Sequence, residues 1–345
     1  MPASDKIDLM QDARLKRFLH VLRLLSEIYA LVVTFFILLL LLPGRPVVLE
    51  ALSNLLNWAL LPSFAVLIIA GIFKKWRTVA IWAFPFISFM YLYGELFLPG
   101  FNRNYPVNTT SQSVCLSVMT CNMTGKSDTG EGSQIDILRD SGADIIAIQE
   151  VTERCGNAVE RNLSDIYPYM VIQAEGLKGI GLLSKYPVIQ QDIFKTSEDS
   201  LYHALAVIRV NGVDITVIST HIVPPVYRPG VNYTDLQRED MAGLLAKVPK
   251  YGPVIMMGDL NMCDHAPEYR MVRKAGLIDT HREIGWGLGN TWPTTIVPYA
   301  RWWRQTLIRL DYIWHSYDIR AIKIWQGPRG ATDHLPVLAE FEIRQ

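Results

Sequence analysis

The first hundred residues of this 345-residue chain carry three long apolar runs, and the rest is of ordinary polarity. Residues 24–42 are almost wholly apolar, with only Ser26 and Glu27 near the start. Residues 55–73 form a second run. Residues 79–98 form a third, weaker one that contains Pro85, Gly94 and Glu95. A helix needs about 20 apolar residues to cross a bilayer, so the pattern predicts a membrane region over 24–98 with three transmembrane helices. The competing reading is a signal peptide followed by a buried hairpin. Against it, the first run is too long for a signal-peptide core, and no small-x-small cleavage pattern follows residues 43–45.

Basic residues give the orientation. Arg14, Lys16, Arg17 and Arg23 precede the first run, and Lys74, Lys75 and Arg77 separate the second and third. The loop between the first two runs holds only Arg45 beside Glu50. Positive-inside places residues 1–23 and the loop at 74–77 in the cytoplasm. With three spans, everything after residue 99 lies outside the cytoplasmic membrane; without the third, it lies within. Residues 99–113, rich in Pro, Gly, Asn, Thr and Ser, read as a linker.

Residues 114–345 are enough for one large domain with a substantial core. The first hundred residues hold nine of the 33 basic and six of the 33 acidic residues, which leaves the remainder slightly acidic. That balance gives no footprint of a duplex-binding surface, so nucleic acid is disfavoured as a partner. Cys115, Cys121, Cys155 and Cys263 show no CxxC or zinc spacing. Cys115 and Cys121 share one strand, too far apart to bridge; Cys155 and Cys263 are the candidate pair, and free thiols are the expectation.

Strand-like runs at 114–121, 144–148, 179–183, 204–210, 214–219, 254–257, 310–314, 321–325 and 337–343 alternate with helical patterns at 133–141, 234–248 and 266–275. Asn211–Gly212 reads as a tight hairpin turn, and Thr234 as a helix N-cap. Polar residues gather where these runs end: Asn122, Glu150, His221, Asp259 with Asn261, Asp311, and Asp333 with His334. Carboxylates suit a hard divalent cation, amides suit phosphate oxygens, and histidines suit proton transfer, so the set points to metal-assisted chemistry on a phosphate ester. GDLN at 258–261 alone would suit a simple turn, and TDH at 332–334 a helix cap. The joint occurrence, in order, carries the reading.

The segments MTCNM, IIAIQEV, GIGLLSKYPV, VISTHIVPP, VIMMGDLNM, GLIDTH, RLDYIW and ATDHLPV resemble the endonuclease/exonuclease/phosphatase superfamily, in the order that family uses. The resemblance covers most of 114–345. It implies an α+β fold, a four-layer α/β/β/α sandwich, and hydrolysis of P–O bonds dependent on Mg²⁺, with Mn²⁺ or Ca²⁺ as alternatives. It assigns Glu150 as the main metal carboxylate, with Asn122 beside it and Asp333 nearby. Asp259 and Asn261 position the attacking water and a phosphate oxygen. His334, paired with Asp311, and His221 contact phosphate or move protons. His221 resembles the deoxyribonuclease and sphingomyelinase branches. Where many members carry a phosphate-binding Arg, this chain has Tyr202–His203, and His203 is the candidate replacement.

Residues 299–305, YARWWRQ, interleave aromatic and cationic side chains as the headgroup zone of a bilayer favours. Trp302 and Trp303 are therefore candidate interface residues. Three spans followed by this domain resemble membrane-bound bacterial members of the superfamily. The expectation is a membrane-anchored phosphohydrolase or phosphodiesterase acting on a lipid phosphate, lipid pyrophosphate or phospholipid headgroup. The alternatives are an extracytoplasmic nuclease and a non-catalytic binding module.

Overall fold

The computed structural model describes residues 3–42, 47–98, 113–123, 133–225, 232–294 and 306–344. The chain divides into two units, Met1–Gly94 and Glu95–Gln345.

Helices dominate the first unit because its sequence supplies few turn residues and long apolar runs. Two helical stretches, Ala13–Leu39 and Trp76–Phe97, are long and apolar enough to cross a membrane. The middle of the three expected runs is a shorter apolar segment, Leu56–Ile72. Pro62 starts a new helix there, Pro62–Ile72, after Leu56–Leu60. Seventeen residues at 1.5 Å each reach about 26 Å, short of a hydrocarbon core of about 30 Å. The outward faces are apolar, with Leu31, Val32, Phe35, Ile68, Ile69, Ile72 and Ile87 exposed. Glu27 is turned inward. Its Oε1 accepts from Thr78 Oγ1 at 2.7 Å, while Arg77 and Arg23 lie 3.4 and 3.8 Å from its carboxylate. A carboxylate among apolar helices needs such partners, and they tie the first helix to the last.

The second unit contains twelve strands among the described residues: β1 Ser113–Asn122, β2 Ile145–Gln149, β3 Tyr169–Gln173, β4 Ile180–Ser184, β5 Val188–Phe194, β6 His203–Val210, β7 Val213–His221, β8 Val254–Asp259, β9 Ile278–Asp279, β10 Asp311–His315, β11 Ile319–Gln326 and β12 Val337–Arg344. They form two six-stranded sheets, ordered β11-β12-β1-β2-β4-β3 and β5-β6-β7-β8-β10-β9. The pairs β1/β2 and β7/β8 are parallel and the others antiparallel.

Period-two alternation builds the layers. On β1, Val114, Leu116 and Val118 face the opposite sheet, while Met119 and Cys121 meet the helices Gln134–Asp140 and Glu153–Leu163. On β8, Ile255 and Met257 face inward, while Val254 and Met256 meet Tyr233–Lys247 and Pro267–Lys274. The result is the expected four-layer α/β/β/α sandwich. Asn211 and Gly212, at φ 50° and 90°, make the expected tight turn between β6 and β7. One cap is corrected: Asn232, not Thr234, precedes the helix Tyr233–Lys247, and Asp235 in the first turn supplies the negative charge. All four cysteines are free.

Register brings the site together. Asn122 lies opposite Gln149 on β1/β2, His221 opposite Asp259 on β7/β8, and Asp311 opposite Asp259 on β8/β10. The ends of two parallel strand pairs and the start of an antiparallel strand thus share one end of the sandwich. Gly258 permits this. A Cβ there would lie 1.8 Å from the Thr220 carbonyl oxygen, so β7 and β8 close only around a glycine.

Candidate active site

Each sheet contributes half of the cluster. From the first come Asn122, Glu150 and the 333–334 turn before β12; from the second come His221, Asp259, Asn261 and Asp311. Asn122 Nδ2 donates to Glu150 Oε1 at 3.1 Å and to Asp259 Oδ2 at 3.0 Å, so one amide bridges the two sheets. Those carboxylate partners also fix which end of the carboxamide carries the nitrogen. Asp259 Oδ2 is 3.7 Å from both His221 Nε2 and His334 Nε2. His334 Nδ1 meets Asp311 Oδ2 at 2.8 Å. Asn261 donates its backbone N–H to Asp259 Oδ1 at 2.9 Å and its Nδ2 to the Ile222 carbonyl at 2.9 Å; Nδ2 also lies 3.2 Å from His221 Nε2.

Two of these residues hold left-handed backbones. Glu150 has φ 57° and Asn261 φ 46°. Asn tolerates that region through its short polar side chain, but Glu does not, at a cost of order 1–3 kcal/mol. The turn after β2 is therefore strained in favour of where the Glu150 carboxylate points.

Sequence reasoning passed over several residues that complete the cluster. Trp292 Nε1 donates to Asp333 Oδ2 at 3.0 Å, and its ring centre is 6.4 Å from that of His334. Thr291 Oγ1 accepts from the Leu310 and Asp311 amides at 3.2 and 3.3 Å. The signal available was a Thr-Trp-Pro step inside a Gly- and Asn-rich loop. Behind the site, Arg309 makes two bonds to Asp279, at 2.7 and 3.2 Å, and a third to Asp264 at 3.3 Å. Arg282 meets Asp264 at 2.7 Å.

The expectation for His203 is corrected. It is fully buried, with Nδ1 at 2.8 Å from Thr220 Oγ1 and Nε2 at 3.0 Å from Asp240 Oδ1. With both ring nitrogens held inside the fold, it does not reach a phosphate; it braces the strand that ends in His221. Trp302 and Trp303 lie outside the described residues.

The two site histidines are held in opposite states. Burial pushes His221 down to about 4, against the pull of Asp259, so it is a neutral imidazole. Burial also disfavours the charged form of His334, but Asp311 and Asp259 outweigh it and raise it to about 10. Burial raises Glu150, with Asn122 opposing, and burial likewise raises Asp259, with His334 opposing.

This charge pattern fits a divalent cation. Two carboxylates are disfavoured in their ionised forms, and among the described residues the cations facing them are histidines. Asp259, Asp311 and His334 offer ligand atoms within 4.8 Å of one another. The Glu150 side fits an ion better: a protonated His334 is a poor ligand, and Glu150 keeps 15% of its side chain exposed while Asp311 keeps none. Glu150, Asn122 and the partly exposed Asp333 also present the oxygen chemistry that hard cations favour.

A two-sheet sandwich with acids, amides and histidines at one end defines a metal-dependent phosphoesterase. A profile of the Endonuclease/Exonuclease/phosphatase family matches residues 132–334, and the chain belongs to that family. It is a hydrolase of phosphate ester bonds. No curated protein matches it in sequence. Among solved structures it is similar to the endonuclease/exonuclease/phosphatase from Bacteroides vulgatus, at 15% identity, covering 67% of this chain and 100% of that one, TM-score 0.53. It is also similar to humanized D. rerio TDP2, at 16% identity, covering 66% of this chain and 98% of that one, TM-score 0.53. The third is the endonuclease/exonuclease/phosphatase from Beutenbergia cavernae DSM 12333, at 17% identity, covering 67% of this chain and 72% of that one, TM-score 0.50. At these identities the likeness is one of fold.

Two predictions follow from the strain and the charges. Glu150→Asn relieves the left-handed backbone and one crowded carboxylate. It should raise the melting midpoint of the catalytic unit by about 3–6 °C, equivalent to roughly 1–2 kcal/mol, while cutting turnover at least about a hundredfold. A midpoint that falls instead would mean the turn is unstrained.

The pH–rate profile should be flat between about 5 and 9. Protonation of His221 below about 4 makes the acid limb, and loss of the His334 proton near 10 makes the alkaline one. A divalent cation at Glu150 moves the alkaline limb down, never up. An acid limb centred near 6.5 in metal-saturated enzyme would contradict the neutral state of His221.

Proposed function

We propose that this protein is a membrane-anchored, Mg²⁺-dependent phosphohydrolase of the outer membrane face, acting on a lipid phosphate, lipid pyrophosphate or phospholipid headgroup. The observation that carries the reading is the first unit. Its helices turn apolar side chains outward and the inward carboxylate of Glu27 is partnered by Thr78 and Arg77, an inside-out pattern that water does not favour and lipid does.

The chemistry belongs to the residues at the sandwich end. Glu150, Asn122 and Asp333 would hold the divalent cation, which supplies Lewis-acid neutralisation of charge on the phosphoryl oxygens. Asp259, fixed by Asn261, orients a water for in-line attack. His221, neutral, presents Nε2 beside Asp259 as the proton acceptor. His334 keeps its Nδ1–H on Asp311 and offers Nε2–H to the oxygen leaving phosphorus. Thr291 and Trp292 hold the two carboxylates, Asp311 through its backbone and Asp333 through its side chain.

The test is one panel: full-length protein in detergent with Mg²⁺, offered a lipid pyrophosphate, sphingomyelin, a phosphoinositide and DNA. Turnover of a lipid arm, abolished by chelator and by Glu150→Gln, is expected. Turnover of DNA alone would replace this reading with an extracytoplasmic nuclease. Turnover undiminished in excess chelator would remove the metal from the mechanism.

Orientation rests on the basic cluster at Lys74, Lys75 and Arg77. For these to stay in the cytoplasm, Leu56–Ile72 must cross the membrane. A shortfall of a few ångströms costs only fractions of a kcal/mol per ångström, met by local thinning of the bilayer. A C-terminal alkaline phosphatase fusion should then be active and a green fluorescent protein fusion dark. The opposite pair of results would put the catalytic unit in the cytoplasm.

A further inference from the structure

The catalytic unit begins before its first strand. Residues 95–97 are packed by three contacts against residues 282–287, the end of the helix Thr280–Ile284 and the turn that follows it. The Gly287 amide donates to the Leu96 carbonyl at 2.7 Å. Phe97 meets Trp286 edge-on, with ring centres 6.0 Å apart. Arg282 Nη1 lies 3.4 Å from Glu95 Oε2. Leu96 itself is buried, at 1% exposure.

The gripped segment leads to the chemistry in short steps. Arg282 holds Asp264, three residues past Asn261. Asp264 also takes a bond from Arg309, two residues before Asp311. Arg309 is buried and donates to both carboxylate oxygens of Asp279, and the Oδ1 of that pair also caps the helix carrying His281 and Arg282. Trp286 reaches the same place directly: with His281, Arg309 and Asp311 it walls one cavity of about 410 Å³. Buried alternating charges are rigid because each leaves a partner unpaired if it moves.

We propose that residues 95–97 are positioning residues for the Asp311–His334 dyad, acting through residues 282–287 and the Arg282–Asp264–Arg309–Asp279 network. The Glu95–Arg282 pair alone, with Glu95 exposed, is too solvent-screened to do this. The buried Leu96, its carbonyl and the Phe97 ring carry the grip, and Glu95 sets the facing of Arg282. The inference rests on the family's hydrolytic activity and not on a lipid substrate.

The test compares full-length variants in detergent on a soluble bis-nitrophenyl phosphate ester. Leu96→Ala/Phe97→Ala should lower kcat about tenfold with KM within about twofold, a loss of 1.4 kcal/mol in the transition state. Phe97→Tyr with Leu96 intact should keep the wild-type rate. Amide hydrogen exchange should quicken at Gly287 and at residues 309–311 in the double variant, a readout independent of any substrate. Unchanged exchange at 309–311, or unchanged kcat, overturns the proposal. If the double variant does not fold, Phe97→Ala alone decides it, since it removes the ring from Trp286 and leaves Leu96 in place: a lowered kcat at an unaltered melting midpoint supports the positioning role, and an unaltered kcat overturns it.

Discussion

One amide group holds the active end of this molecule together. Asn122 Nδ2 donates to Glu150 of its own sheet and to Asp259 of the other. Over most of the sandwich the sheets meet through aliphatic side chains such as Val118, Ile145, Val217 and Ile255. Toward the site that contact turns polar: Gln149, held by Thr120 of its own sheet, meets Ser219 of the other, and then comes Asn122. Aliphatic packing sets the distance between sheets but tolerates sliding. Hydrogen bonds fix direction as well, and the carboxylates need that if a water and a phosphate are to be placed between them.

The cost of that placement is spread over the neighbourhood. Glu150 is held in a backbone region that disfavours it. Glu150 and Asp259 are buried close enough to resist ionisation. Asp311 is covered by a histidine that keeps its proton. Such an arrangement persists only where the surroundings over-determine it, and here they do. Gln149 is tied across the sheets, Asn261 is bonded at both backbone and side chain, and the Arg309–Asp279 pair stands immediately behind Asp311.

What the sequence made legible follows from where polarity sits in the chain. Asn122, Glu150, His221, Asp259, Asp311 and His334 each end or begin an apolar run, so period-two alternation located the strands and the break in it located the residues. Edge elements were not legible. β3 and β5 alternate poorly because both lie at sheet edges, half exposed, and β9 is two residues long. The helix Glu153–Leu163 was missed because only Val159 and Leu163 on its buried face are large and apolar, beside Cys155, Gly156 and Ala158. His203 was misplaced because its partner, Asp240, lies 37 residues away on a helix, and no local pattern announces that bond. In the first unit, apolarity over 55–73 was plain, but a single proline divided the helix.

The backbone approach at Gly258 has a genetic consequence. Every missense change at a glycine codon adds at least a Cβ, and here that atom would fall inside the Thr220 carbonyl. No conservative allele exists for this position. A map of mutational tolerance would score Gly258 as severely as Asp259, its neighbour, although one lets two strands close and the other is proposed to orient the attacking water. In this fold, intolerance to substitution therefore does not by itself separate scaffold from chemistry, and adjacent letters of a single motif can be fixed for unrelated reasons.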